Sequence, residues 1–286
     1  MALSAPQQQM LQQLTEELKT IDGVAAIVLG GSHATGMATE RSDLDIGIYY
    51  YEAQPFNIPA IKSLATKYHT GSDPTVTDFY QWGPWVNGGA WLETAAGKVD
   101  FLYRNIDQVK ATIAKAGQGE WENHYEQQPP YGFSSVIYLA ETKACIPLYD
   151  PQHLITALKK SVSTYPPALR QTIIQQSLWA AEFTVAHAEA FAIQKDIYNL
   201  SGCLTRAVKN IISALFAINE IYPIGDKKAV EIIAQCKYSP ELLPVKVEQI
   251  LVITDMVQST VRLKALLQEV IDLTDGAYKA LYNFSK

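Results

Sequence analysis

Residues 24–48 constrain the fold of this chain more than any other stretch. Val24 to Leu29 is a short apolar run with strand-like, β-branched character, and it stops at Gly30-Gly31-Ser32. Glycine admits positive φ and lets another group approach the backbone closely, so a phosphate has room at this turn. After a spacer the chain resumes as Asp43-Leu44-Asp45-Ile46-Gly47-Ile48. Side chains alternate across a strand, which puts Asp43 and Asp45 on one face and Leu44 and Ile46 on the other. Two neighbouring carboxylates repel unless a cation lies between them, and hard divalent ions with oxygen ligands meet that need.

The segments around this core follow from periodicity. Gln7 to Lys19 sets Met10, Leu11, Leu14 and Leu18 on one stripe and Glu16, Glu17 and Lys19 opposite, which predicts an amphipathic helix. Next come a short helix at Ala34–Thr39, a strand at Leu44–Tyr51, a helix at Pro59–Tyr68 and a strand at Thr75–Tyr80. With a helix starting at Ala34, Ser32 and His33 sit at its positive end, where anions are favoured. His33 is then either a phosphate contact or a packed turn residue. Gln81 to Trp91 reads as a loop with three tryptophans. These rings either stack on a base or a ring-shaped acceptor, or, for Trp82 and Trp85, pack the sheet edge.

A strand at 97–103, a helix at Ile106–Ala116, a loop at Gln127–Gly132, a helix at Ser134–Lys143 and a turn at Pro147–Pro151 complete the mixed portion. From there the chain has helical period, with helices from Pro167 through His187, from Leu204 to Glu220 and from Met256 to Tyr282. Glu182 and Glu189 on the first of these are either acceptor-binding groups or its wet face. Strands mixed with helices followed by helices alone predict an α+β fold class in two domains. Residues 1–150 form a mixed sheet with flanking helices, and residues 151–286 an all-α bundle.

Composition limits the partners. A net charge of -6 argues against a nucleic-acid polymer, whose phosphates need a basic surface, and suits a cationic small molecule better. Cys145, Cys203 and Cys236 suggest neither a disulfide framework nor a zinc site, as expected of a cytoplasmic protein. The start of the chain lacks a basic region followed by an apolar core, and no apolar run approaches the ~20 residues that span a bilayer. No membrane association is expected.

A Gly-Ser turn after a strand, then Asp-hydrophobic-Asp on the next strand, resembles the nucleotidyltransferase superfamily that includes DNA polymerase beta and the aminoglycoside and lincosamide nucleotidyltransferases. The resemblance implies a third carboxylate on a later strand, and Asp100 between Val99 and Phe101 supplies it. It also implies a catalytic α/β domain joined to a helical one. Two magnesium ions held by Asp43, Asp45 and Asp100 are expected, with Gly31 and Ser32 on the triphosphate of ATP. Asp100 is either general base or metal ligand only. The segment Ala217 to Lys228 resembles one in the helical domain of such enzymes, which makes Lys227 either a triphosphate contact or a solvated helix start. The expected reaction moves AMP onto a hydroxyl of a small, aminoglycoside-like molecule. Alternatives are a protein side-chain acceptor and a nucleotide-binding module without turnover. The resemblance leaves monomer and homodimer equally open.

Overall fold

The computed structural model describes residues 3–40 and 42–281. In chain order the elements are α1 (Ala5–Leu18), β1 (Ala26–Leu29), α2 (Gly31–Thr35), β2 (Leu44–Tyr50), α3 (Ile58–Tyr68), β3 (Thr75–Val76), β4 (Gly89–Thr94), β5 (Gly97–Asn105), α4 (Ile106–Gly117), β6 (Asn123–His124), β7 (Phe133–Ser134), α5 (Val136–Ala144), β8 (Ile146–Tyr149) and α6 (Leu154–Ser161). Then follow α7 (Pro167–Gln194), α8 (Ile197–Ile218), α9 (Ala229–Ala234), α10 (Leu243–Leu251) and α11 (Met256–Asp272). The class is α+β, a mixed sheet with flanking helices followed by helices alone. Two compact units divide the chain, one of residues 1–114 and 122–164, the other of residues 115–121 and 165–286.

In the first unit six strands form one sheet in the order β3-β4-β5-β2-β1-β8. Only β2 and β5 run parallel; every other neighbouring pair is antiparallel. Alternation divides the sheet as the sequence implies. Leu44, Ile46, Ile48, Val99, Phe101 and Tyr103 point into one core with Leu14 and Leu18 of α1 and Ile61 of α3, all at most 1% exposed. Each fully buried Leu or Ile contributes about 1.5–3 kcal/mol of transfer free energy. The opposite face carries a second cluster built from Val28, Tyr49, Ile106, Ile137 and Tyr138, which covers the Tyr49 end of the strands.

Several elements differ from expectation. The first helix starts at Ala5, because Ser4 and Gln7 form a reciprocal capping box. The short helix α2 starts at Gly31, not Ala34, and stops at Gly36 in the left-handed region, so Gly31 and Ser32 form its first turn. The strand expected at Thr75–Tyr80 ends at Val76, and the tryptophan segment read as a loop supplies β4. Pro147 lies in a strand where a turn was expected. It faces Val28 in β8, an edge strand where a missing N–H is tolerated.

In the second unit α7 and α8 form a helical hairpin, turned by Lys195 in the left-handed region and capped by Asp196, whose carboxylate accepts the N–H of Asn199. That cap starts α8 at Ile197, ahead of the expected Leu204. Helix α11 stops at Asp272; Tyr282, its expected end, lies outside the described residues, as does Arg41. Glu182 is wholly buried and accepts the Tyr278 hydroxyl and, at 3.2 Å, the N–H of Leu281. This carboxylate pins the C-terminal segment to α7. Glu189 pairs with Lys264 at 2.9 Å, and Lys227 is exposed in the turn before α9.

Candidate active site

The carboxylates expected to act together do meet. Asp45 on β2 pairs in register with Asp100 on β5, so both side chains leave the same face of the sheet on neighbouring strands. Asp43 precedes β2 by one residue, and its charge acts on both partners. Burial, followed by the charges of Asp100 and Asp43, pushes the Asp45 carboxyl up to about 6. Burial and the Asp43 charge push Asp100 up to the same value. Among the described residues none of the three aspartates has a side-chain hydrogen bond or an ion pair. Negative charge is thus concentrated at one end of two strands without a direct partner among the described residues, at a cost in stability.

The glycine turn closes this end of the sheet. The Gly30 N–H donates to the Asp45 carbonyl at 2.7 Å, which ties the turn to β2. Gly31 has φ +56, and a Cβ there would stand 1.7 Å from Asp45 Oδ2. Only glycine fits between α2 and this carboxylate. The first-turn N–H groups of a helix have no intrahelical acceptor, and Gly31 and Ser32 occupy that turn of α2. Beside them both ring nitrogens of His33 are shielded from solvent and have no hydrogen-bond partner among the described residues. Buried donors and acceptors of this kind are costly unless a ligand or water completes them.

Two side chains escaped sequence reasoning. Arg104 lies four residues beyond Asp100 on the same face of β5, and its guanidinium meets Glu141 of α5 through two 2.9 Å bonds. Nη1 also donates to the Tyr103 carbonyl. Burial opposes the Arg104 charge, but Glu141 beside it more than compensates and raises its pKa. Both residues act on Asp45, Glu141 raising its pKa and Arg104 lowering it. The periodicity of β5 puts Arg104 on the acidic face, but its partner lies 37 residues away and no local pattern announces it.

The donor chemistry fits a divalent metal: three carboxylates, hard oxygen ligands, with no cation paired to them among the described residues. Among the described residues no group of three His, Cys, Asp or Glu side chains is drawn together as a ready-made metal site. The set is therefore open. The family model described as Nucleotidyltransferase domain matches residues 11–113. The first part of the chain carries a nucleotidyltransferase domain. Every residue of the glycine turn and the aspartate set lies inside it.

A second family model, described as Domain of unknown function (DUF4037), matches residues 136–229. Arg104 belongs to the nucleotidyltransferase match and Glu141 to the second, so one ion pair joins the two matched stretches. No curated protein matches the chain. Among solved structures, a nucleotidyltransferase-like protein from Exiguobacterium sibiricum is similar at 12% identity and a TM-score of 0.45, over 94% of this chain and 77% of that one. Among the described residues no helix is long and apolar enough to cross a membrane.

Proposed function

We propose that the chain is a magnesium-dependent nucleotidyltransferase that moves a nucleoside monophosphate, AMP from ATP in the first instance, onto a hydroxyl of a small molecule in the cytoplasm. The observation that carries this reading is the set of Asp43, Asp45 and Asp100, without ion-pair partners among the described residues, beside the Gly31 turn. Two magnesium ions held by these carboxylates supply, when bound, the positive charge that phosphoryl transfer needs and lower the pKa of the acceptor hydroxyl.

The remaining roles belong to the chain itself. Gly31 and Ser32 hold the β- and γ-phosphates through backbone N–H groups and the Ser32 hydroxyl, and the absence of a Cβ at Gly31 lets the Asp45 carboxylate lie against this turn. The acceptor oxygen attacks the α-phosphorus in line. One P–O bond forms, the bond to the bridging oxygen breaks, and pyrophosphate leaves. Asp100, on the attacking side, is assigned as the base that takes the hydroxyl proton. Lys227 belongs to this reading by its motif. The net charge of -6 favours a cationic acceptor.

Pyrophosphate release from ATP with magnesium and a panel of hydroxyl acceptors is the test. Asp45→Ala should lower release by at least about a thousandfold, the scale expected when charge stabilisation at a transferring phosphoryl group is removed. Equal release by the variant would sink the assignment. Nucleotide binding without release for any acceptor would favour a binding module.

A further inference from the structure

The acidic face of the sheet continues past Asp100. Asp45 on β2 pairs with Asp100 on β5, and Asp100 pairs with Trp91 on β4, so three neighbouring strands present these side chains on one face. Adjacent strands lie about 4.8 Å apart, which puts the Trp91 backbone about 5 Å beyond that of Asp100 and about 10 Å beyond that of Asp45. The Trp91 ring runs back along its own strand over Gly89, where a Cβ would stand 3.1 Å from the indole. Trp82 stacks on it, with ring centroids 4.3 Å apart and planes 28° from parallel.

Trp85 in the same segment is packing. It is 6% exposed and lies against Phe133 and Tyr138. Trp82 is 46% exposed, so core packing does not account for it. Its backbone is fixed all the same: Gln127 donates to the Trp82 carbonyl and accepts the Trp85 N–H at 2.8 Å. A stacked indole pair with Trp82 half-exposed, and with Trp91 on the strand next to that of Asp100, is a platform for a further ring.

Which reactant supplies the ring follows from in-line geometry, and this step rests on the nucleotidyl-transfer reading. With the β- and γ-phosphates at Gly31, pyrophosphate leaves on the side of Asp45 that faces β1. The attacking hydroxyl therefore arrives from the opposite side, over Asp100 and toward β4. The geometry points to a ring-stacking subsite for the acceptor, formed by Trp82 and Trp91 beside Asp100, that takes a flat aromatic or heteroaromatic ring. Asp43, Asp45 and Asp100 make the neighbourhood acidic, which selects a neutral or cationic ring over an anionic one.

The test compares tyramine, which combines a flat ring, a hydroxyl and an amine, with 6-aminohexanol, which keeps the amine, the hydroxyl and an apolar chain. Binding of each is titrated calorimetrically with magnesium, with and without α,β-methylene-ATP, in the wild type, Trp82→Ala and Trp82→Phe. Wild type should prefer tyramine at least tenfold, Trp82→Ala should lose that preference, and Trp82→Phe should keep most of it. Affinity for the nucleotide analogue should stay within twofold throughout. No preference in the wild type overturns the proposal. A tenfold loss of nucleotide affinity in Trp82→Ala, with the tyramine preference intact, assigns the platform to the nucleobase and also overturns it. If the wild type binds no nucleotide analogue at all, the nucleotidyl-transfer reading fails instead. A tyramine preference that survives there marks a ring site for another reaction, and the acceptor assignment falls with the parent reading.

Discussion

One face of one sheet carries two charged clusters that are built in opposite ways. At the Tyr49 end, Arg104 and Glu141 satisfy each other through two 2.9 Å bonds beneath Tyr138, whose ring lies 5.4 Å from the guanidinium. At the other end, two periods of alternation away along β5, Asp45 and Asp100 face each other and Asp43 with no ion-pair partner among the described residues. A protein that needed only stability would neutralise both ends or neither. Charge completed within the chain is structural, while charge left incomplete at a glycine turn is completed by a ligand.

The largest effect that separates the two ends is expected from removing one member of each. Arg104→Met should leave Glu141 partly buried and unpaired and cost about 3 kcal/mol in urea denaturation, the lower end for a broken buried pair because Glu141 keeps some solvent. Asp45→Asn removes repulsion and should cost no stability in metal-free protein. If Arg104→Met proved as harmless as Asp45→Asn, the distinction between a completed and an incomplete cluster would be lost.

How much of this contrast is legible in the sequence depends on how local its cause is. The glycine turn, the Asp43 and Asp45 spacing and the apolar alternation of β2 and β5 are short-range, and the structure keeps them. The nucleotidyltransferase match over residues 11–113 covers the same stretch. What escaped is made by partners distant in sequence. β4 lacks a clear alternation in Gly89-Ala90-Trp91 and is a strand because β5 pairs with it. β8 contains Pro147 and is a strand because β1 pairs with it. Glu182 has the spacing of a solvated helix face, yet it is buried by Tyr278 and Leu281 almost a hundred residues later. Helix α2 begins at Gly31 because the chain there is held against Asp45, which local propensity does not encode.

That held turn gives the next largest effect. In Gly31→Ala the new Cβ would stand 1.7 Å from Asp45 Oδ2, at φ +56, so either the turn or the carboxylate must move. A non-glycine residue in the left-handed region costs about 1–2 kcal/mol by itself. Thermal denaturation should show that loss, and nucleotide titration should show a further loss of affinity as Asp45 is displaced. Gly30→Ala is the control, since its Cβ would meet Asp45 no closer than 3.7 Å. Equal affinities in the two variants would separate the turn from the carboxylate site and weaken the case that they form one device.

The smallest effect concerns protons. Asp45 and Asp100 are pushed up to about 6 in the folded protein, against a value near 3.9 for an unfolded aspartate. Between about pH 4 and pH 6 the folded state therefore binds more protons than the unfolded state, and stability falls as pH rises through that window. For half-buried groups screened by solvent the loss is on the order of 1 kcal/mol. Urea midpoints of metal-free protein at pH 4.5 and pH 7 should drop across the range in the wild type and drop less in Asp45→Asn, where Asp100 alone keeps its raised pKa. Magnesium at pH 7 should recover part of the loss in the wild type and none in the variant, because a cation restores only where the carboxylates that repel each other are all present. A wild-type midpoint that rises from pH 4.5 to pH 7 without metal would mean that the aspartate end is compensated after all, and the two ends of the sheet would then differ in position and not in kind.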